Sequence, residues 1–247
     1  MKINSLLLFI SGLLSVFYTS SCKKFLNEKP DKKLVVPKTV ADLQALLDNN
    51  AVMNRTDAAF DEASTTDYYV PEINQPYLQN EYDYLGAAYT WQNNVLLNHP
   101  KNDWFNLYNV VGIANTTLDF VDGIERKSSN SLELDNIKGQ ALFFKARAYL
   151  KAAFLHAKAY DESTADQDLG IVLRSTTDFN VKSVRASVKD TYDSILSHLE
   201  QAAELLPVIS KHQMRPSKPA AYALLARTWL SMRNYKKALY GDRKSVV

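Results

Sequence analysis

The sequence predicts an all-α protein of tetratricopeptide-like helical hairpins joined by long irregular loops. Three observations carry this. Apolar residues recur at helical spacing through several long stretches. No segment before the loops alternates as a half-buried strand does. Small residues fall where two helices would have to cross closely. With 247 residues, 46% of them hydrophobic and 23% charged, the chain can bury one large core or two modest ones.

The chain opens on Met1-Lys2-Ile3-Asn4, a short positive start, followed by a run from Ser5 to Tyr18 rich in Leu, Ile, Phe and Val. Thr19-Ser20-Ser21 then leads into Cys22, the only cysteine. This is the layout of an export signal, too short and too abruptly polar afterwards to remain as a membrane-spanning helix. A cysteine in the cleavage slot resembles a bacterial lipoprotein box, in which the thiol is lipidated and becomes the new N-terminus. Residues 1–21 are therefore expected to be a lipoprotein signal peptide and Cys22 the acyl (palmitate-type) anchor. With that thiol used, disulfides and thiolate metal sites are excluded.

Residues 22–38 read as anchor and flexible tether, with Pro30, Pro37 and lysines at 23, 24, 29, 32, 33 and 38 but no apolar period. Lysines beside a lipid anchor suit a solvated linker or anionic headgroups. The formal net charge is only +2 and no basic stripe is concentrated elsewhere, which argues against a nucleic-acid partner.

Thr39 with Asp42 predicts a capped helix running to Asp48, its stripe made of Val40, Leu43, Leu46 and Leu47. Residues 50 to 100 hold many aromatics and turn residues without sustained periodicity, and read as irregular loops with one short helix. From Asp103, the residues Trp104, Leu107, Tyr108, Val111, Leu118 and Val121 mark a long helix with a buried stripe. Another is expected from Leu134 to Tyr160, apolar on more than one face and so packed on two sides. A long loop follows over 161–186. Ser187 with Asp190 starts the next helix, which Pro207 ends. Pro219 to Met232 form another, and Asn234 turns the chain into a last one at Tyr235. Tyr222, Leu225, Ala226, Trp229 and Ala238 fall at the spacings of a tetratricopeptide hairpin, and Ile195, Leu199, Ala202 and Pro207 fit the second helix of a preceding unit. Gly241 to Val247 is not expected to continue a repeat helix, and residues 241–247 read as a truncated or non-native end.

Several of these stretches together resemble the SusD/RagB family of outer-membrane nutrient-binding lipoproteins of Bacteroidetes. They are Cys22-Lys23-Lys24-Phe25-Leu26 with Glu28-Lys29-Pro30, the helix Thr39 to Leu47, and Trp104 with Leu107-Tyr108 and Asn115. Arg185-Ala186-Ser187-Val188 with Leu205-Leu206-Pro207 adds to these, and Ala220-Ala221-Tyr222-Ala223-Leu224-Leu225-Ala226-Arg227 is the most specific piece. Val172 stands where the family usually has a proline, and His198 where an acidic residue is common. Family members are about twice this length, so the resemblance makes residues 39–240 the N-terminal half of a SusD-like helical-repeat domain. It implies a lipid-anchored, surface-exposed protein of the outer membrane that captures an oligosaccharide. The ligand would then pass to a SusC-type TonB-dependent transporter. A RagB-like relative would take a peptide instead, and a non-catalytic envelope scaffold is a third reading.

Glycan capture requires aromatic faces for sugar C–H groups beside amides and carboxylates for hydroxyls. The segment Gln75 to Trp104 carries Tyr77, Tyr82, Tyr84, Tyr89 and Trp91, with Asn80, Asp83, Asn93 and Asn94 among them. The candidate ligand-binding residues are Trp91, Tyr84, Tyr89, Tyr82, Asn93 and Asn94, with Trp91 beside Gln92-Asn93-Asn94 the preferred platform. The alternative for any one of them is packing of the loop onto the helices. Trp104 and Trp229 lie on helix stripes and are expected in the core. His99, His156, His198 and His212 are scattered without metal-ligand spacing. Asp161, Glu162, Asp166 and Asp168 lack the ligand pattern and turn glycine of a calcium loop. Neither a phosphate loop nor a nucleophile elbow is present, so no metal, cofactor or catalytic residue is expected.

Overall fold

The computed structural model describes residues 36–55, 58–77, 83–93, 102–178 and 180–246. The expected signal, Cys22, Tyr82, the Tyr84 side chain and Asn94 lie outside the described residues. The described helices and strands belong to the compact unit Lys38–Val247.

Helix α1 spans Val40–Leu47, and Thr39 caps it as expected: its hydroxyl accepts the Asp42 N–H while the Asp42 carboxylate accepts the Thr39 N–H. The aromatic stretch that follows is more structured than its lack of period suggests. It contains α2 (Asn50–Met53), α3 (Phe60–Ala63), a 3₁₀ turn at Glu72–Asn74 and α4 (Asp83–Tyr89). Helices of one or two turns are too short to display a repeat, so they escape a periodicity argument.

The body is formed by α5 (Asp103–Val121), α6 (Ser131–His156), α7 (Val188–Leu205), α8 (Lys218–Ser231) and α9 (Tyr235–Ser245). Each of the five packs on the next, and α1 lies across α5 and α6. Helix α6 is sandwiched between α5 and α7, which is why residues on several faces are buried, among them Ile137, Ala141, Phe144, Ala148, Tyr149 and Leu150. The core continues through Leu43, Leu107, Val111, Ile195 and Leu199. The stripes on α1 and α7 thus land where the spacing puts them, as does that of α5 apart from Trp104.

Close crossings explain two glycines. A Cβ at Gly139 of α6 would sit 3.0 Å from the Leu205 Cβ and 3.1 Å from Leu206. One at Gly241 of α9 would sit 3.1 Å from the Ala226 backbone nitrogen of α8. Gly241 is therefore a packing residue. Contrary to the expectation from sequence, α9 continues through it to Ser245.

The expected long loop also contains structure. Strand β1 (Leu169–Val172) pairs antiparallel with β2 (Arg185–Ser187), with Leu169 opposite Ser187, Val172 opposite Arg185 and a register shift between them. Strands of four and three residues fall at the short end of the range in which alternation can be recognised. The Arg185 guanidinium secures them, donating to the Gly170 carbonyl at 2.7 Å and to the His156 carbonyl at 2.7 Å. Ser187 then caps α7 by accepting the Asp190 N–H at 2.9 Å.

Candidate functional site

The candidate platform is built on the end of α4. Thr90 donates its hydroxyl to the Gly86 carbonyl at 2.9 Å, and the Trp91 and Gln92 N–H groups return to Ala88 at 3.0 Å and Ala87 at 2.9 Å. These bonds close the helix and leave Trp91 at φ 54°. A left-handed backbone at a bulky residue costs roughly 1–2 kcal/mol, and such strain is typical of segments held for a purpose. Here the result is an indole 74% exposed at the tip of the turn, with Gln92 and Asn93 also exposed beside it.

Tyr89 is half-buried and ties a second segment to this turn. Its hydroxyl accepts the Val70 N–H at 2.8 Å, and its ring stacks on Tyr68 at 6.1 Å between centroids, 29° from parallel. Tyr68 and Tyr69 are exposed, and Tyr77 is exposed further along. Of the sequence candidates, Tyr89, Trp91 and Asn93 therefore share one turn. Tyr68 and Tyr69 were missed; their signal is an aromatic doublet before Val70, upstream of the stretch singled out.

Two anchors fix this region to the body. The buried Asp103 carboxylate, on α5, accepts the Ala59 N–H at 3.0 Å and the Phe60 N–H at 2.7 Å, capping α3 from outside. Lys151 of α6 pairs with Asp61 of α3 at 2.8 Å. Helix α3 in turn packs on α4.

A second polar-aromatic region lies along α5. Trp104, expected in the core, is half-buried, stacked on Tyr108 at 4.4 Å and edge-on to His156 at 5.0 Å. Trp229 does pack against the core, and its ring carries the Lys237 ammonium 4.0 Å from the centroid. The Tyr108 hydroxyl donates to the Val172 carbonyl at 2.6 Å, and Asn115 donates to the Arg174 carbonyl at 3.0 Å. Burial pushes the Tyr108 phenol up and the His156 imidazole down, so both stay neutral near pH 7. Among the described residues no group of three His, Cys, Asp or Glu could hold a metal ion, and no helix is long and apolar enough to cross a membrane.

Stacked helical hairpins with an exposed aromatic turn define a helical-repeat scaffold whose loops face solvent. The chain belongs to the SusD-like family: a family model described as starch-binding and associating with the outer membrane matches residues 24–230. Among solved structures, a SusD superfamily protein of Bacteroides thetaiotaomicron matches with a TM-score of 0.66 at 20% identity, over 84% of this chain and 46% of that one. A SusD-like carbohydrate-binding protein of Bacteroides vulgatus gives 0.61 at 17% identity, over 85% and 45%. A laminarin-binding SusD-like protein gives 0.62 at 15%, over 83% and 43%. These likenesses show a common fold, and the chain spans about half the length of each. Among curated proteins, none matches the sequence.

Proposed function

We propose that this chain is the N-terminal half of a non-catalytic, glycan-binding lipoprotein. It is anchored through Cys22 after removal of residues 1–21 and held by the tether 22–38. The body 39–240 captures an oligosaccharide at the cell surface and presents it to a SusC-type TonB-dependent transporter.

One observation carries the ligand class: an indole held at a strained turn and exposed to solvent, beside an amide and the Tyr68–Tyr89 pair. Aromatic faces with adjacent amides match the alternating C–H and O–H surface of a sugar ring. A starch-binding family and a laminarin-binding relative agree with a glucan-type ligand. Tyr82, Tyr84 and Asn94 are kept as candidates on their nearness in sequence alone.

The test is a glycan array on purified protein, alongside Trp91→Ala. Binding of at least one oligosaccharide, lost on substitution while helicity is unchanged, is the expected result. Binding of peptides only would give the RagB-like reading, and capture of a barrel partner with no glycan bound would leave a scaffold. Release of reducing sugar would make the protein an enzyme and end the proposal.

A further inference from the structure

Between α5 and residues 172–177 with Ser183 lies a cleft of about 330 Å³, separate in sequence from the Trp91 turn and carried on the helical body. Trp104 and Tyr108 form its aromatic end, and Thr176, Thr177 and Ser183 supply hydroxyls at the other. Pockets for small ligands begin at roughly this size, about 300 Å³, and combine apolar walls with a few placed polar groups.

Two independent features single this cleft out. Asn115 is 1% exposed and lines it. The Asn115 amide nitrogen donates to the Arg174 carbonyl at 3.0 Å and reaches the Thr176 carbonyl at 3.4 Å, which fixes the orientation of the carboxamide. Its Oδ1 is buried without a hydrogen-bond partner among the described residues. A buried acceptor left this way is costly, and nearly all such groups are matched by protein, water or ligand.

The second feature is Gly112. It sits inside α5, lines the same cleft and is exposed. A glycine in a helix interior is disfavoured relative to alanine. At Gly139 and Gly241 close packing accounts for the missing side chain, but a Cβ at Gly112 would meet nothing within 4 Å. The vacant space opens onto the cleft. Close approach of a bound molecule to the helix backbone is a standard use of such a position.

We infer that this cleft is a second binding site, distinct from the Trp91 turn, that takes a single neutral sugar ring edge-on between Trp104 and the Thr176–Thr177 segment. A ring hydroxyl donates to Asn115 Oδ1. The Thr176 and Ser183 hydroxyls, which accept from the Asp178 N–H and the Arg174 guanidinium, donate to the ring. The Thr177 hydroxyl, which donates to Asp119, accepts from it, and C–H groups lie over Gly112 and against the Trp104–Tyr108 pair. A charged sugar is disfavoured, because the Arg174 guanidinium is already engaged by the Val181 and Asp178 carbonyls. The site shares a ligand class with the Trp91 turn but uses none of its residues.

The test titrates D-glucose, D-galactose, D-mannose and N-acetylglucosamine into the full 247-residue chain while following its three tryptophan indole resonances by NMR. At least one sugar should shift the Trp104 resonance saturably, and the shift should persist in Trp91→Ala. In Gly112→Leu, which fills the open space, affinity should fall at least tenfold while the circular dichroism spectrum is unchanged. Thr176→Val, which keeps the cleft open, should weaken binding severalfold. Failure of all four sugars to shift Trp104, or wild-type affinity in folded Gly112→Leu, overturns the site. A shift abolished by Trp91→Ala would place the ligand on the loop turn and also overturn it. Loss of array binding in Trp91→Ala with this cleft intact bears only on the proposed platform.

Discussion

The Asp103 carboxylate accepts the Phe60 backbone N–H at 2.7 Å, across forty-three residues of sequence. The first N–H groups of a helix have no partner within it, and here a residue from another helix supplies the cap. Asp103→Ala leaves the Ala59 and Phe60 N–H groups without this acceptor. The expected loss is about 2–3 kcal/mol, measurable by urea denaturation. Increased protease sensitivity between residues 58 and 93 should accompany it. An unchanged midpoint would mean that the contact contributes nothing.

Trp91→Gly separates binding from folding. Glycine removes the left-handed strain, worth roughly 1–2 kcal/mol, but adds unfolded-chain entropy worth a little under 1 kcal/mol. The melting temperature should therefore move little, while oligosaccharide binding on the array is lost. Wild-type binding with this variant would remove Trp91 from the site.

Two glycines make opposite predictions. A Cβ at Gly170 would lie 2.2 Å from the Thr191 hydroxyl and 2.4 Å from the Ser187 carbonyl, so backbone must move to admit it. Gly170→Ala should cost at least about 2 kcal/mol, toward the upper end of overpacking effects. Gly112→Ala meets open space and should stabilise by about 0.5–1 kcal/mol. Thermal melts of the two variants, compared with wild type, decide both.

Lys145 is 4% exposed within α6, with its ammonium 5.9 Å from the Tyr149 ring centroid, and Asp119 of α5 and His198 of α7 are the ionisable groups that act on it or feel it. Burial lowers the ammonium from 10.5 to about 8, with Asp119 opposing the shift. Below pH 8 the lysine is charged in both folded and unfolded chains, and the full cost of burying it is present. Between pH 8 and 10.5 the unfolded chain binds more protons, so stability rises with pH. Lys145→Met should stabilise the protein at pH 7 by on the order of 2 kcal/mol. That advantage should shrink by pH 10. Urea midpoints at the two values check the sign, and a less stable Met variant at pH 7 contradicts it.

The helical body was legible because its signals are local. Thr39, Ser187 and Asn234 accept backbone N–H groups from Asp42, Asp190 and Lys237, three residues ahead in each case. Those caps and the 3.6-residue stripes need no knowledge of the partner. What escaped depends on distant pairing. The β1–β2 pair is too short to show alternation, and Tyr68 reaches Tyr89 because Val70 donates to a hydroxyl nineteen residues away. Trp104 was misplaced for a different reason: helical spacing assigns a face, and a face can lie at the edge of a cleft as readily as in a core. Gly241 shows the reverse error. A glycine read as a terminator is the point where α9 touches α8.

The Tyr149 hydroxyl both donates to the Arg174 carbonyl at 2.7 Å and accepts the Arg174 N–H at 2.8 Å, while Tyr108 and Asn115 hold the carbonyls of Val172 and Arg174. All three grip the main chain, which every amino acid shares. The course of residues 172 to 176 is thereby held in large part from α5 and α6. Thr176 lines the neighbouring cleft, and its hydroxyl also accepts the Asp178 N–H at 3.2 Å, so serine there could recast the lining while keeping that turn and leaving the helices as they are.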